Sequence, residues 1–313
     1  MTVASYRKIN YSLRPAKHIE RKMLADSLRR LGALYPLEGY RYIGFGANTF
    51  GDFILFHRLL GIFEMISIES EVIDHDRFEL NKPFAAVTMA YGLSGAVLPD
   101  LVAGRPTILW LDYDKRLDAP KIGDIELFVG AAVPGSALLI TLSAQPETTD
   151  GSVLAELEEL VGAEVIPPDI AEPDLEGWGF AKACRRIVSN AISDTLRDRN
   201  QEIPANEHVR YMEFADFEYS DGMRMMTVGG VLIRPDQEAI LIESGLTDLE
   251  WYRPSVIPYR IKTPPLTIRE MRFLDAQLPC DLTTLNTSGI PTRDATAYAS
   301  VYRFYPRYVD ADY

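Results

Sequence analysis

The sequence predicts an α/β fold: a mostly parallel sheet covered by helices and closed by an antiparallel hairpin, with a helix ahead of it and an extension behind. Three observations predict it. From residue 40 to about residue 200, short apolar runs alternate with helix-period segments, the pattern of repeated strand–helix units. One run, PTILWLD at 106–112, is apolar almost throughout, as a strand buried on both faces must be. Finally, Asp221-Gly222 stands between two strand-like runs, a strong two-residue hairpin signal.

The elements follow in order. Residues 17–34 carry Ile19, Met23, Leu24, Leu28 and Leu31 at helical spacing, with Pro15 just ahead, where its missing N–H does no harm. YRYIGF (40–45) is a first strand, and FGDFILFHRLLG (50–61) a helix ending at Gly61. EMISIE (64–69) and FAAVTMAY (84–91) are the second and third strands, and SGAVLPDLVAG a short helix after them. PTILWLD is the fourth strand, IGDIELFVGA a short helix and SALLITLSA (136–144) the fifth strand. Two helices are expected at 152–162 and 177–200. The hairpin pairs VRYMEFADFEYS with MRMMTVGGVLIR. Beyond residue 235, PDQEAILIESG forms a helix, and Thr267 with Glu270 makes a capping box that opens another. The tail holds Tyr302, Phe304, Tyr305 and Tyr308, which can pack back onto the domain or onto a partner. The expected organisation is a basic helical segment at 1–35, a ligand-binding domain at 36–235 and an extension at 236–313.

Composition narrows the class. The chain has 313 residues, 47% of them apolar and 25% charged, enough for a full core. The net charge is −13, yet residues 1–35 carry eight Lys or Arg against two acids, which leaves −19 on the rest. An acidic body repels nucleic acid at long range. The basic segment keeps phosphate contacts open, through Arg14, Lys17, Arg21 and Lys22, but pairing with the acidic body or exposure to solvent is favoured. Two cysteines, Cys184 and Cys280, make neither a disulfide scaffold nor a metal site, and His18, His57, His75 and His208 have no ligand spacing. No bound metal is expected. No apolar stretch approaches the roughly 20 residues of a membrane span and the N-terminus has no signal-peptide core, so a cytoplasmic setting is expected.

The chemistry gathers at strand ends. In an open parallel sheet, ligands bind beyond the carboxyl ends of the strands. The first strand runs into Gly44-Phe45-Gly46-Ala47-Asn48-Thr49, where glycines let backbone approach a ligand and adopt strained angles. The helix after the loop offers N–H groups and partial positive charge to an anion. Asp52 in its first turn complements the helix dipole or meets a cofactor amine. Glu69 ends the second strand, 23 positions after Gly46, where an acid accepts hydrogen bonds from both hydroxyls of a ribose. The pair points to a nucleoside-bearing cofactor, against the bland alternative of a packing turn and a surface acid. The fourth strand ends in Asp112-Tyr113-Asp114, which brings two carboxylates and a phenol to the mouth of the cleft. Asp112 orients a nucleophile or takes its proton, and Tyr113 stacks on a substrate ring. The segment Phe78–Phe84 reaches over the base or, as the commoner fate of such a Phe78, joins the core. No Ser-His-Asp or Cys-His set stands at motif spacing, which counts against hydrolysis.

These residues resemble a family. Five strand–helix units followed by a hairpin, the GFGANTF loop, Glu69 and Asp112-Tyr113-Asp114 are similar to class I S-adenosylmethionine-dependent methyltransferases. More narrowly, YSLRPAKHIERKML (11–24), YIGFGANTFGDFILFH (42–57) and MISIE (65–69) look like a group of bacterial O-methyltransferases. The resemblance implies a Rossmann-like sheet of seven strands ending in an antiparallel strand. It implies S-adenosylmethionine as cofactor, held by Gly44, Phe45, Gly46, Asn48, Asp52 and Glu69, with Asp112, Tyr113 and Asp114 at the acceptor. The sequence departs from the family where Tyr42 and Ile43 replace the acid before the first glycine, and where Asn48 replaces a third glycine. DYD in place of Asn-Pro-Pro-Tyr argues against methylation of nucleic-acid bases. A second reading is a catalytically degenerate nucleotide-binding sensor or scaffold in a bacterial multi-gene defence or modification system, with the aromatic tail on a partner or a second copy. A third, a nicotinamide oxidoreductase, requires GxGxxG, and Thr49 stands at its last glycine.

Overall fold

The computed structural model describes residues 14–70, 74–147, 151–252 and 257–306, so the chain ahead of Arg14 and the tail residue Tyr308 lie outside the described residues. The first helix, α1 (Pro15–Arg30), is followed by β1 (Arg41–Gly44), α2 (Gly51–Leu60), β2 (Glu64–Glu69), α3 (His75–Asn81), β3 (Val87–Tyr91) and α4 (Ser94–Leu101). Then come β4 (Thr107–Asp112), α5 (Ala119–Ala131), β5 (Ala137–Ser143), α6 (Val153–Val161) and α7 (Gly179–Arg199). The hairpin is β6 (Arg210–Ser220) and β7 (Arg224–Ile233). The extension holds α8 (Glu238–Glu243), β8 (Tyr259–Arg260), α9 (Ile268–Asp275) and α10 (Thr292–Val301).

One sheet runs through the molecule in the order β3-β2-β1-β4-β5-β7-β6-β8. Strands β1 to β5 are parallel, β7 is antiparallel to β5, and β6 is antiparallel to β7. Seven strands were expected, and among the described residues the sheet has eight. The eighth, β8, is two residues long and pairs in parallel with β6. So short a strand has no period to read, which is why the sequence does not reveal it.

Both faces of the sheet are covered, and the side-chain alternation of β4 shows how. Ile108 and Trp110 point into one cluster, with α1 and α2, while Leu109 and Leu111 point into the other, with α4, α5 and α7. All four are fully buried, as the unbroken apolar run requires. On the first face Ile19, Met23 and Leu28 of α1 meet Phe53 and Phe56 of α2, and Phe56 stacks on Trp110 at 5.8 Å. On the second face Ile125 and Phe128 of α5 meet Ile187 and Val188 of α7.

Helix α1 is therefore part of the core. Its N-terminus is capped from far along the chain: Ala16 and Lys17 donate their backbone N–H groups to Asp221, at 3.1 and 2.9 Å. Asp221 lies in the β6–β7 turn, beside Gly222 with φ of 90°, the left-handed region that glycine enters freely. Phe78, on α3, is fully buried and belongs to the core, the commoner of the two fates expected for it. The aromatic tail packs back on its own chain, with Phe304 edge-on to Trp251 at 5.1 Å and Tyr298 in a small cluster with Leu274 and Ile290. No described helix is long and apolar enough to cross a membrane.

Candidate functional site

The strand order reverses direction at β1, with β2 and β3 on one side and β4 and β5 on the other. That reversal opens a crevice at the carboxyl ends of the strands. A cleft of about 350 Å³ lies there, within the range of roughly 300–1,000 Å³ usual for small-molecule sites. Phe45, Gly46, Ala47 and Thr49 line it after β1, Glu69 and Ser70 after β2, Gly92 to Ser94 after β3, and Asp112 to Lys115 after β4.

The β1–α2 loop is built differently from the expectation. Neither Gly44 nor Gly46 adopts a positive φ; the left-handed residues are Ala47 and Phe50, with φ of 47° and 48°. Each costs roughly 1–2 kcal/mol relative to an ordinary conformation. What the two glycines provide is room for the protein itself. A Cβ on Gly44 would lie 2.5 Å from the Tyr42 hydroxyl, and one on Gly46 would lie 2.5 Å from the Phe50 ring and 2.7 Å from Ser67 Oγ. Gly46 still lines the cleft, and its N–H donates to Ser67 Oγ at 3.0 Å, whereas Gly44 and Asn48 do not line it. Asn48 Oδ1 is a buried acceptor with no hydrogen-bond partner.

Asp52 lies beneath the cleft wall. It is almost wholly buried and accepts a hydrogen bond from the Tyr42 hydroxyl. Burial pushes its carboxyl above the usual range, against the opposing pull of the nearby Arg21 guanidinium. Tyr42 is pushed up as well, first by burial and then by the Asp52 charge. Glu69 stands half-buried at the tip of β2 and accepts the Ser70 N–H at 3.1 Å.

At the tip of β4 the three expected residues are together but differently engaged. Asp112 accepts an ion pair from Lys17 Nζ at 2.5 Å. Lys17 is 2% exposed, also pairs with Glu20 at 2.8 Å, and sits over the Trp110 ring at 4.4 Å. Glu20 accepts from Thr227, which bonds Thr141 at 2.8 Å, and Thr141 accepts from Trp110 Nε1 at 3.0 Å. One Asp112 oxygen is thus held by Lys17. Tyr113 donates its hydroxyl to Asp124 at 2.5 Å, and Ser94 donates to the same carboxylate oxygen. Its ring lies 5.2 Å from Phe45, so the two rings form an aromatic wall. Asp114 lines the outer part of the cleft. Among the described residues no group of His, Cys, Asp and Glu is arranged to hold a metal ion.

The family described as "Putative O-methyltransferase" matches residues 9–313 of the sequence. The chain belongs to this O-methyltransferase family. Among curated proteins nothing matches it. Solved structures similar to this O-methyltransferase family member include LepI in complex with SAH, at 9% identity and a TM-score of 0.36, over 62% of this chain and 43% of that one. An O-methyltransferase family protein from Burkholderia thailandensis is similar at 14% identity and a TM-score of 0.33, over 67% of this chain and 55% of that one. The N-methyltransferase NodS from Bradyrhizobium japonicum is similar at 11% identity and a TM-score of 0.35, over 69% of this chain and 97% of that one. This family member spans less than half the length of LepI.

Sequence reasoning missed the contribution of α1. Arg14, Lys17 and Arg21 appear in the sequence as part of a basic segment, yet Lys17 is buried against Asp112, and Arg14 and Arg21 line the cleft. The available signal was the apolar stripe of the helix: Ile19, Met23 and Leu28 face the core, which leaves Lys17 and Arg21 on its flank.

Proposed function

We propose that this chain transfers a methyl group from S-adenosylmethionine to an oxygen of an acceptor, and that the cleft over β1, β2 and β4 is where the two meet. The observation that carries this is the cleft itself. It lies at the switch point of the sheet, with Glu69 at the tip of β2 and the β1–α2 loop beside it, in a chain of the O-methyltransferase family.

The residues present fit the cofactor. Glu69 is placed to accept hydrogen bonds from two ribose hydroxyls. The wall formed by Phe45 and Tyr113 offers flat apolar surface to a base or an acceptor ring. Asp52 and Asp112 line the same cleft and favour a cationic group there.

When bound, the cofactor supplies an already activated methyl on a positive sulfonium. The protein then has to hold the attacking oxygen in line, about 3–3.5 Å away, and to exclude water. Lys17 fixes the Asp112 carboxylate, and Asp124 fixes the Tyr113 phenol, so both groups present one orientation to the acceptor. Asp114 lines the outer part of the cleft and is the carboxylate proposed to receive the acceptor proton.

Calorimetric titration tests the site. S-adenosylhomocysteine is expected to bind at one site and to be displaced by S-adenosylmethionine, with no heat from NAD. Preference for NAD would overturn the reading. Incubation with methyl-labelled S-adenosylmethionine and a panel of hydroxyl, phenol and carboxylate acceptors is expected to place the label on oxygen.

A further inference from the structure

We infer that Arg21 of α1 recognises the carboxylate at the amino-acid end of the cofactor, so that the N-terminal helix completes the site and selects cofactors carrying that zwitterionic tail. The inference rests on the proposed binding of S-adenosylmethionine in the main cleft.

Five observations converge on Arg21. Its side chain lines the cleft, at the end where Asp52 and the start of α2 lie. Its Nε is a buried donor with no hydrogen-bond partner, which costs stability unless a ligand fills the place. Among the described residues it has no carboxylate within ion-pairing distance, although Lys17 on the same helix and Arg14 just ahead of it both have one. Asp52, whose carboxyl feels the Arg21 guanidinium, accepts from Tyr42 and is raised first by burial. Finally, the guanidinium lies against the first residue of α2: a Cβ on Gly51 would come within 3.2 Å of Arg21 Nη1.

That position matters because the α2 N-terminus has no side-chain cap. Its N–H groups and dipole favour an anion there, and a guanidinium beside them adds a planar pair of donors suited to a carboxylate. The neighbouring charges agree. His18 is held in its uncharged form down to about pH 4, first by burial and then by Lys22 and Arg21, which marks a locally positive surface. Asp112, which lines the same cleft, is the acid that would meet an ammonium beside that carboxylate. The cleft thus offers both a cation and an acid, as a receptor for an α-amino acid group requires, with Glu69 at the tip of β2 on the sugar side.

Two probes separate this from a general packing role. S-adenosylhomocysteine carries the amino-acid tail, and 5′-methylthioadenosine carries the same nucleoside and sulfur without it. Calorimetry on the full chain is expected to show that Arg21→Gln weakens S-adenosylhomocysteine about 10- to 150-fold, the range for a lost charged hydrogen bond, and leaves methylthioadenosine within about 2-fold. Arg21→Lys is expected to recover part of the loss, since charge returns without the planar fork. Thermal melting without ligand reports whether either variant has lost its fold. Equal weakening of both probes, or of neither, would overturn the assignment to Arg21. Absence of binding of either probe to the unsubstituted chain would overturn the cofactor reading itself, and this inference with it.

Discussion

At the scale of single residues, the site is decided by which polar groups already have partners. Glu69 is half-buried at the end of β2, lines the cleft and accepts the Ser70 N–H. Glu69→Ala is expected to weaken S-adenosylhomocysteine by about 1–3 kcal/mol, roughly 5- to 150-fold, in a calorimetric titration. Unchanged affinity would remove Glu69 from the site. Asp112 is held through one of its oxygens by Lys17. The glycines teach the same lesson. Gly44 and Gly46 are needed because Tyr42, Phe50 and Ser67 occupy the space a Cβ would take, while the backbone strain sits on Ala47 and Phe50. A glycine in a sequence marks close approach but does not say of what.

At the scale of elements, α1 is the piece that joins site to core. Its apolar stripe buries Ile19, Met23, Leu24 and Leu28, and its polar flank carries Lys17 into a network that reaches β4, β5 and β7 through Asp112, Thr141 and Thr227. Asp221 from the β6–β7 turn closes the helix end, a contact of the kind whose loss costs about 0.5–2 kcal/mol. Lys17 itself weighs more. Lys17→Met keeps the side-chain length but leaves Glu20 and Asp112 crowded without their cation. A loss of about 3–5 kcal/mol is expected in urea unfolding, the range for breaking a buried ion pair. A loss below about 1 kcal/mol would show that the network holds without its centre. Either way the loss should fall on α1, with hydrogen exchange rising first along Pro15–Arg30.

At the scale of the whole molecule, buried charge makes stability depend on pH in two opposed ways. Asp216, buried between Arg185, Glu213 and Glu218, has its carboxyl raised by burial from 3.8 to about 7. The folded state therefore keeps a proton that the unfolded chain gives up, so this contribution to stability is full below pH 3.8 and is lost as pH rises to about 7. His18 is lowered from 6.5 to about 4, so the unfolded chain binds the extra proton and stability is gained as pH rises through that window. Measured against the unsubstituted chain, Asp216→Asn is expected to gain relative stability between about pH 4 and 7, and His18→Gln to lose it between about pH 4 and 6.5. Urea unfolding at a series of pH values checks both signs. A pH-independent gap for Asp216→Asn would mean that the carboxyl does not titrate there.

Much of this molecule is present in local sequence. The alternation of apolar runs with helical periods sets the order of β1 to α5, because period 2 and period 3.6 are properties of neighbours along the chain. Asp221-Gly222 marks its hairpin for the same reason, and Glu69 is placed simply by ending a strand. What only the tertiary structure decided is the partnership of charges. Lys17 meets Asp112 across 95 positions of chain, Asp221 caps a helix 205 positions before it, and Arg21 reaches the mouth of a cleft made by strands it precedes. A basic helix in isolation has the composition of a solvated face. Packing its apolar stripe onto the sheet turns its flank inward, and a charge turned inward must find an opposite charge, a hydrogen bond or a ligand.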